Sequence, residues 1–360
     1  MAPKRKNFFD GFLYVLNTIA AFALLCSYLS NYISPRIFTW FSFLGLAYPY
    51  LLVANILFAI WWALRLKTKI ILPIIAIAVG YKQIPLVYQF GASKQVVASG
   101  EALKVMTFNV HNLNRYQWID EEDVPARIEQ LIKEEQPDIV LMQEYYRLEE
   151  PLNPDMPHVY FEFQDKAGKN GQIIYSRLPI LDKGFYPLPA PEGAIAKGKA
   201  LWVDVEWQGR SLRLYNLHLY SVGLAGDDYE NLSQQSEESN EEFQKRMYRI
   251  GGSLNRAFER RAYQVEFLDS IFQAHEGPII VGGDFNDPPS SYTFHKLHEH
   301  LQDSYVSAGE GWVRTFNRGP LPFRIDHILY RDKELRCHSY KVVQQKLSDH
   351  YPVLAEFSWR

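Results

Sequence analysis

The chain has 360 residues, 47% of them hydrophobic and 22% charged, with a formal net charge of −3, enough for one large globular domain or two smaller units. Residues 1–100 hold nine of the 38 Lys+Arg and one of the 41 Asp+Glu, which leaves 29 bases against 40 acids, near −11, in the remainder. Nucleic-acid binders draw most of their affinity from a basic footprint that releases counterions, so this acidic remainder argues against a general nuclease.

Residues 11–35 and 37–64 contain no charged side chain, and each run exceeds the roughly 20 residues a helix needs to cross about 30 Å of hydrocarbon. They read as membrane spans at about 11–33 and 38–64. A third apolar run, Ile70 to Phe90, is interrupted by Lys82. Its stem can carry the ammonium toward the interface, and Tyr81 and Tyr88 suit a boundary layer. This run is taken as a third span, about 70–90, with an interfacial or re-entrant segment as the alternative. A second long span directly after the first argues against a cleaved signal peptide, so residues 1–92 are expected to stay as a transmembrane anchor in the lipid bilayer.

Lys4, Arg5 and Lys6 precede the first span, Arg65, Lys67 and Lys69 follow the second, and Arg36 alone lies between. The positive-inside rule then puts the N-terminus and the second loop in the cytoplasm. Three spans would make a multi-pass protein of a bacterial inner membrane with the rest of the chain in the periplasm; two would leave it in the cytoplasm. The two cysteines, Cys26 in the first span and Cys337 near the C-terminus, predict no disulfide and do not decide the compartment.

Beyond a short linker, strand character marks 104–110, 139–142, 172–175, 200–205, 212–217 and 279–281, and helical spacing marks 124–135 and 261–272. The mixture predicts an α/β or α+β domain built on sheets. Residues 221–260 read as a partly helical insertion in which seven acids run into a basic stretch. It is either a solvated excursion with internal charge pairing or a lid that touches substrate or membrane.

Polar residues follow apolar runs at Asn109, Glu144, Asn216 and His218, Asp284 and Asn286, Asp326 and His327, and Asp349 and His350. Each alone could end a strand or make a turn. Together they supply the carboxylates a hard cation needs and the neutral and cationic donors that phosphoryl oxygens need. His327, adjacent to Asp326 and so directed to the opposite face, reads as structural. His295, His298 and His300 follow a helix start after Pro289 and lack carboxylate or cysteine partners, so they are not read as a metal site.

In order and spacing, TFNV (107–110), QE (143–144), SR (176–177), NLHL (216–219), GGDFND (282–287), RIDHI (324–328) and SDHYPV (348–353) resemble the endonuclease/exonuclease/phosphatase superfamily over essentially all of residues 101–360. The resemblance implies an α/β fold, a four-layer α/β/β/α sandwich of two mixed sheets. It also implies a divalent metal, Mg²⁺ or alternatively Mn²⁺, on Glu144 with Asn109 beside it and Asp349. By the same resemblance Asp284 orients or deprotonates the attacking water, Asn286 fixes that water and the phosphate, and His350 contacts the phosphate with Asp326 as its partner. Asn216 and His218 resemble the phosphate-binding pair of the sphingomyelinase, inositol-polyphosphate phosphatase and pancreatic deoxyribonuclease branches. The abasic-site endonucleases place a tyrosine motif there, which disfavours that branch.

The expected activity is hydrolysis of a phosphodiester or phosphomonoester substrate at a membrane, such as a lipid head group. The alternatives are a membrane-anchored nuclease acting on nucleic acid and, from another class, an inactive scaffold or binding module. A channel formed by the apolar segments is disfavoured because Lys82 is their single internal charge. Substrate identity and oligomeric state are not written in these motifs.

Overall fold

The computed structural model describes residues 8–91, 102–164, 168–223, 239–318 and 323–360. The first range is helical: α1 (Phe8–Tyr28), α2 (Trp40–Leu46), α3 (Tyr48–Leu64), α4 (Ile71–Val79) and α5 (Ile84–Val87). Among the described residues, α1 with the 3-10 turn that prolongs it, Phe8–Asn31, is the one helix long and apolar enough by itself to cross a membrane. The expected second and third spans are not single helices. Residues 38–64 break between α2 and α3 with a 63° bend, where Pro49 in the first turn of α3 has no N–H to donate backward. Residues 70–90 break with a 57° bend past Gly80, Pro85 opens α5, and Tyr88–Gln89 is already a strand, β1.

Packing of these helices inverts the water-soluble pattern. Phe12, Val15, Ile19 and Phe22 of α1 face outward at 54–69% exposure, whereas Asp10, Asn17, Ala21 and Leu24 are buried against neighbouring helices. Polar groups hold the helices together: Trp62 Nε1 donates to Asn17 Oδ1 (3.0 Å), Asn55 to the Ala20 carbonyl (3.0 Å) and Tyr28 to the Ala76 carbonyl (2.9 Å). Small residues and interhelical hydrogen bonds of this kind are what associates helices when apolar contact alone gives no advantage.

The remainder is a sandwich. One six-stranded sheet comprises β2 (Leu103–Asn109), β3 (Ile139–Tyr146), β4 (His158–Phe163), β5 (Asn170–Ser176), β13 (Leu335–Val342) and β14 (Val353–Trp359), in the order β13-β14-β2-β3-β5-β4. The other comprises β6 (Ile180–Pro187), β7 (Lys199–Trp207), β8 (Arg210–His218), β9 (Ile279–Asp284), β10 (Gln302–Asp303) and β12 (Asp326–Tyr330), in the order β10-β12-β9-β8-β7-β6. Both are mixed, because β2 pairs parallel with β3 and β8 with β9 while their other pairs are antiparallel. Alternation along each strand sends Val105, Leu141, Val203, Leu214 and Ile280 into the layer between the sheets.

The outer faces are covered by helices. α6 (Val124–Glu135) packs Ile128, Leu131 and Ile132 on Met106, Phe108 and Val140. α7 (Asn240–Ala274), with α8 (Tyr292–His298), packs Val265, Leu268, Phe272 and Phe294 on Tyr215, Leu217 and Val281. The layers therefore run α/β/β/α. α9 (Ser304–Ala308) lies near the sheet edge. The expected 221–260 insertion is in part the first half of α7, opened by a capping box between Ser239 and Glu242. Its earlier acids, Asp227 to Glu238, lie outside the described residues.

The apolar helices are docked on the sandwich. Ser30 Oγ donates to the Ser290 carbonyl (2.7 Å), Ser290 Oγ donates to the Gly45 carbonyl (2.8 Å), and the Phe43 ring meets Phe258 edge-on at 5.3 Å. Gly45 is needed there, since a Cβ would stand 2.7 Å from the Ser290 carbonyl oxygen. On the far side Arg324 donates to the Leu86 carbonyl (3.0 Å), and β1 pairs with β11 (Gly311–Trp312).

Candidate active site

Strand ends place the polar residues on one rim. Asn109 ends β2, His218 ends β8, Asp284 ends β9 and Asp326 begins β12, and the register sets Asp284 opposite both His218 and Asp326. Gly283 permits this close ladder: at φ 149° any Cβ would fall 2.0 Å from the Leu217 carbonyl oxygen.

Glu144 reaches the rim by a different device. β3 carries one extra residue against β5 between Met142 and Tyr145, and Glu144 adopts φ 51°. Such a bulge re-aims side chains, and left-handed backbone at a non-glycine residue is held only where surrounding structure over-determines it. Gln143 turns instead into the buried layer, donating to Thr107 Oγ1 (3.0 Å) and Asn216 Oδ1 (2.7 Å).

Two opposed groups result. On one side His350 Nδ1 lies 2.8 Å from Asp326 Oδ2, and its Nε2 faces Asp284 Oδ2 at 3.8 Å. All three residues are buried. Burial alone would strip the proton from His350, but Asp326 and Asp284 outweigh it and hold the ring protonated well above its ordinary range. Burial also pushes the Asp284 carboxyl up to about 6, reinforced by the Asp326 charge and opposed by His350 and His218. Ligand atoms of these three residues lie within 4.8 Å of one another. The Asp326–His350 hydrogen bond occupies Nδ1, which leaves Nε2 as the ring atom turned toward Asp284.

On the other side stand Glu144 and Asp349, with the His111 ring between them, Nδ1 3.5 Å from Glu144 Oε2 and 3.3 Å from Asp349 Oδ1. Against the cost of burial, His111 and His218 hold the Glu144 carboxyl down at about 2. His111 is itself raised, because Glu144 and Asp349 outweigh its burial. Asn109 Nδ2 donates to Glu144 Oε1 (3.2 Å) and Asp284 Oδ2 (3.0 Å), while its oxygen accepts from the His111 backbone N–H. Asn109 thus orients the two carboxylates. Asn286, at φ 54°, donates its backbone N–H to Asp284 Oδ1 (2.8 Å) and its amide to Asp284 Oδ2 and the Leu219 carbonyl. His218 Nε2 sits 3.4 Å from Glu144 Oε1 and 3.8 Å from Asp284 Oδ2.

Eight of the nine expected site residues therefore converge, and Asn216 does not. Its amide is spent in the layer between the sheets, donating to the Met142 and Ile173 carbonyls and accepting from Gln143. It is fully buried, two residues and about 7 Å along the strand below His218. The expectation that it contacts phosphate is corrected to a role under the site floor.

His327 is structural, as read from its position: buried and held neutral by burial and the adjacent Arg324, it contacts Arg324 and the Asp287 carbonyl. Sequence reasoning missed His111, Arg318 (3.9 Å from Asp349 Oδ2) and the Arg261–Asp287 ion pair beside the loop that bears Asn286. His111 stands two residues beyond Asn109 in the first motif, and this was the signal available.

These groups open into one cavity of about 220 Å³, whose lining also includes the apolar Leu46, Ile250, Leu254 and Phe258.

Comparison with known proteins fits this geometry. Residues 106–350 match the Endonuclease/Exonuclease/phosphatase family. The chain belongs to that family. Residues 10–87 match a domain of unknown function. No curated protein matches the chain in sequence. Among solved structures, an endonuclease/exonuclease/phosphatase from Bacteroides vulgatus is 20% identical with a TM-score of 0.54, covering 72% of this chain and 99% of that one. The human Nocturnin catalytic domain with bound sulfate is 18% identical with a TM-score of 0.51, covering 74% and 96%. A mannosyl-6-phosphatase from Bacteroides thetaiotaomicron is 19% identical with a TM-score of 0.50, covering 71% and 99%. At these identities the likeness is one of fold.

Proposed function

We propose that the protein is a divalent-metal-dependent phosphoester hydrolase held in a membrane by its N-terminal helices, cleaving a phosphodiester or phosphomonoester such as a lipid head group. The observation that carries this reading is the division of one cleft into an Asp326–His350 pair and a Glu144–Asp349 pair with Asp284 between them. A phosphoryl group nearing its transition state spreads negative charge over its oxygens, and the imidazolium of His350 lines the cleft where that charge would develop. Asp284, near neutrality and fixed by the Asn109 and Asn286 donors, is suited to take a proton from the attacking water.

The donor set fits a hard cation: two carboxylates open to the cleft, facing a histidine that already answers their charge. Glu144 and Asp349, with Asn109 beside them, would hold Mg²⁺ or Mn²⁺. When bound, the ion supplies positive charge to the phosphoryl oxygens.

Membrane attachment is supported by the outward apolar face of α1. A multi-pass arrangement is supported by the docking of the 29–46 loop side and of Leu86 on the same domain, which puts Arg65, Lys67 and Lys69 at the other end of the helices. With those cations cytoplasmic, the catalytic domain would face the periplasm.

The test is hydrolysis by the full chain in detergent, with Mg²⁺ or EDTA, of phospholipids, inositol phosphates and plasmid DNA in parallel. Metal-dependent release from lipid, with kcat lowered at least about 1,000-fold and KM little changed in Asp284→Asn, is expected. Activity that survives both EDTA and Asp284→Asn would refute the assignment.

A further inference from the structure

The lining of the cleft is mostly apolar, and part of that apolar lining belongs to the N-terminal helices. Leu46, the last residue of α2, lines the same cavity as Glu144, Asp284 and His350. Its position is fixed by the neighbouring Gly45 carbonyl, which accepts from Ser290 three residues past Asp287, and by Phe43 against Phe258.

The same cavity is lined by a stripe on α7, which α2 touches through Phe43 and Phe258. Phe258, Leu254 and Ile250 line the cavity at helical spacing, and the same stripe continues beyond it through Met247 and Phe243, which are 39% and 49% exposed. From Phe258 to Phe243 the track is about 22 Å long at about 1.5 Å per residue, longer than the roughly 15 Å depth of one leaflet's hydrocarbon. A polar substrate such as a sugar or nucleotide would leave the outer part of this track, at Met247 and Phe243, uncovered. Its chemistry matches one occupant, the hydrocarbon of an amphiphile whose phosphate reaches Asp284 and His350.

Resting on the phosphohydrolase reading above, we infer that the substrate is a long-chain lipid phosphoester whose hydrocarbon lies between Leu46 of the membrane region and the Ile250–Leu254–Phe258 face of α7. The N-terminal helices are thus a wall of the active site, and Leu46 determines specificity.

The experiment uses the full chain in detergent micelles with Mg²⁺. It compares kcat/KM for dioleoyl and dibutyroyl forms of phosphatidic acid and phosphatidylglycerol, with bis(p-nitrophenyl) phosphate and an oligodeoxynucleotide as further arms. Wild type is expected to prefer dioleoyl substrates, and Leu46→Gln is expected to lower the dioleoyl-to-dibutyroyl ratio about tenfold, mostly through KM, with Leu46→Met retaining it. Leu254→Gln on the α7 stripe is expected to lower the ratio likewise, which keeps the test decisive where Leu46→Gln fails to fold. No chain-length preference in wild type, a ratio unchanged in a folded Gln variant, or preference for the oligodeoxynucleotide overturns the inference. Turnover of bis(p-nitrophenyl) phosphate without chain preference sinks this inference alone, whereas no turnover of any arm sinks the phosphohydrolase reading with it.

Discussion

Replacing Arg261 by Met tests whether the loop bearing Asn286 depends on a buried charge beneath it. Arg261 and Asp287 are 1% and 4% exposed in their side chains, with Arg261 Nε 2.9 Å from Asp287 Oδ2 and a second guanidinium nitrogen 3.2 Å from Oδ1. The guanidinium also donates to the Tyr220 carbonyl, and Thr293 donates to the same carboxylate at 2.6 Å. Met fills most of the volume but leaves the Asp287 carboxylate with hydroxyl donors alone, from Thr293 and Ser291, and breaking a buried pair from one side costs about 3–5 kcal/mol. For a domain of this size each kcal/mol lowers Tm by about 2–4 °C, so thermal unfolding of the detergent-solubilised chain at pH 8 should fall by about 10 °C. The Arg261→Met/Asp287→Asn double variant should recover at least half of that.

The deficit carries a pH signature. Burial already raises the Asp287 carboxyl above its ordinary range, and loss of Arg261 raises it further. Stability from the protonated form is complete below the unfolded pKa and is lost as pH rises through the folded one. The gap between variant and wild type should therefore narrow from pH 8 to pH 5. A variant within about 1 kcal/mol of wild type at pH 8, or a double variant no better than the single, would show that the pair does not hold the loop.

Other outcomes follow from the same contacts. Asp326→Asn removes the partner 2.8 Å from His350 and should lower kcat about 100-fold or more with a smaller effect on KM, measured in steady state with whichever phosphoester is turned over fastest. Glu144→Gln should weaken Mg²⁺ binding at least about tenfold by isothermal titration calorimetry, since the proposed cation site would lose one of its two carboxylates. Gly283→Ala, with its Cβ driven onto the Leu217 carbonyl, should destabilise the β8–β9 ladder by about 3 kcal/mol in chemical denaturation.

The apolar runs that end in a polar residue marked β2, β3, β5, β7, β8 and β9, and the helix over Val124–Glu135 matches its periodicity, whereas the arrangement of two sheets in a sandwich came from the family resemblance of the motifs. That the candidate residues lie together has the same origin: ends of adjacent strands share a rim. What failed to show was depth and irregularity. Asn216 and His218 face the same way, yet two residues of rise separate a saturated inter-sheet amide from a rim histidine, and no local signal marks that boundary. The bulge that aims Glu144 exists only against β5, so no periodicity within β3 encodes it. His111 gains its role from carboxylates 33 and 238 residues away in sequence. The helix breaks at Ala47 and Gly80 were hidden by hydrophobicity, which measures solubility in lipid and is blind to a missing donor at Pro49 or Pro85.

The seam between the helices and the sandwich joins main chain to side chain at both ends, through Gly45 with Ser290 and Leu86 with Arg324, and main chain to main chain through β1 and β11. A flexible leash sets only how far an enzyme can wander from its anchor and leaves its heading free. A seam clamped at separated points sets heading as well, so the cleft would keep one height and one tilt above whatever surface the helices occupy, and lengthening the 92–101 connection would do little to change either.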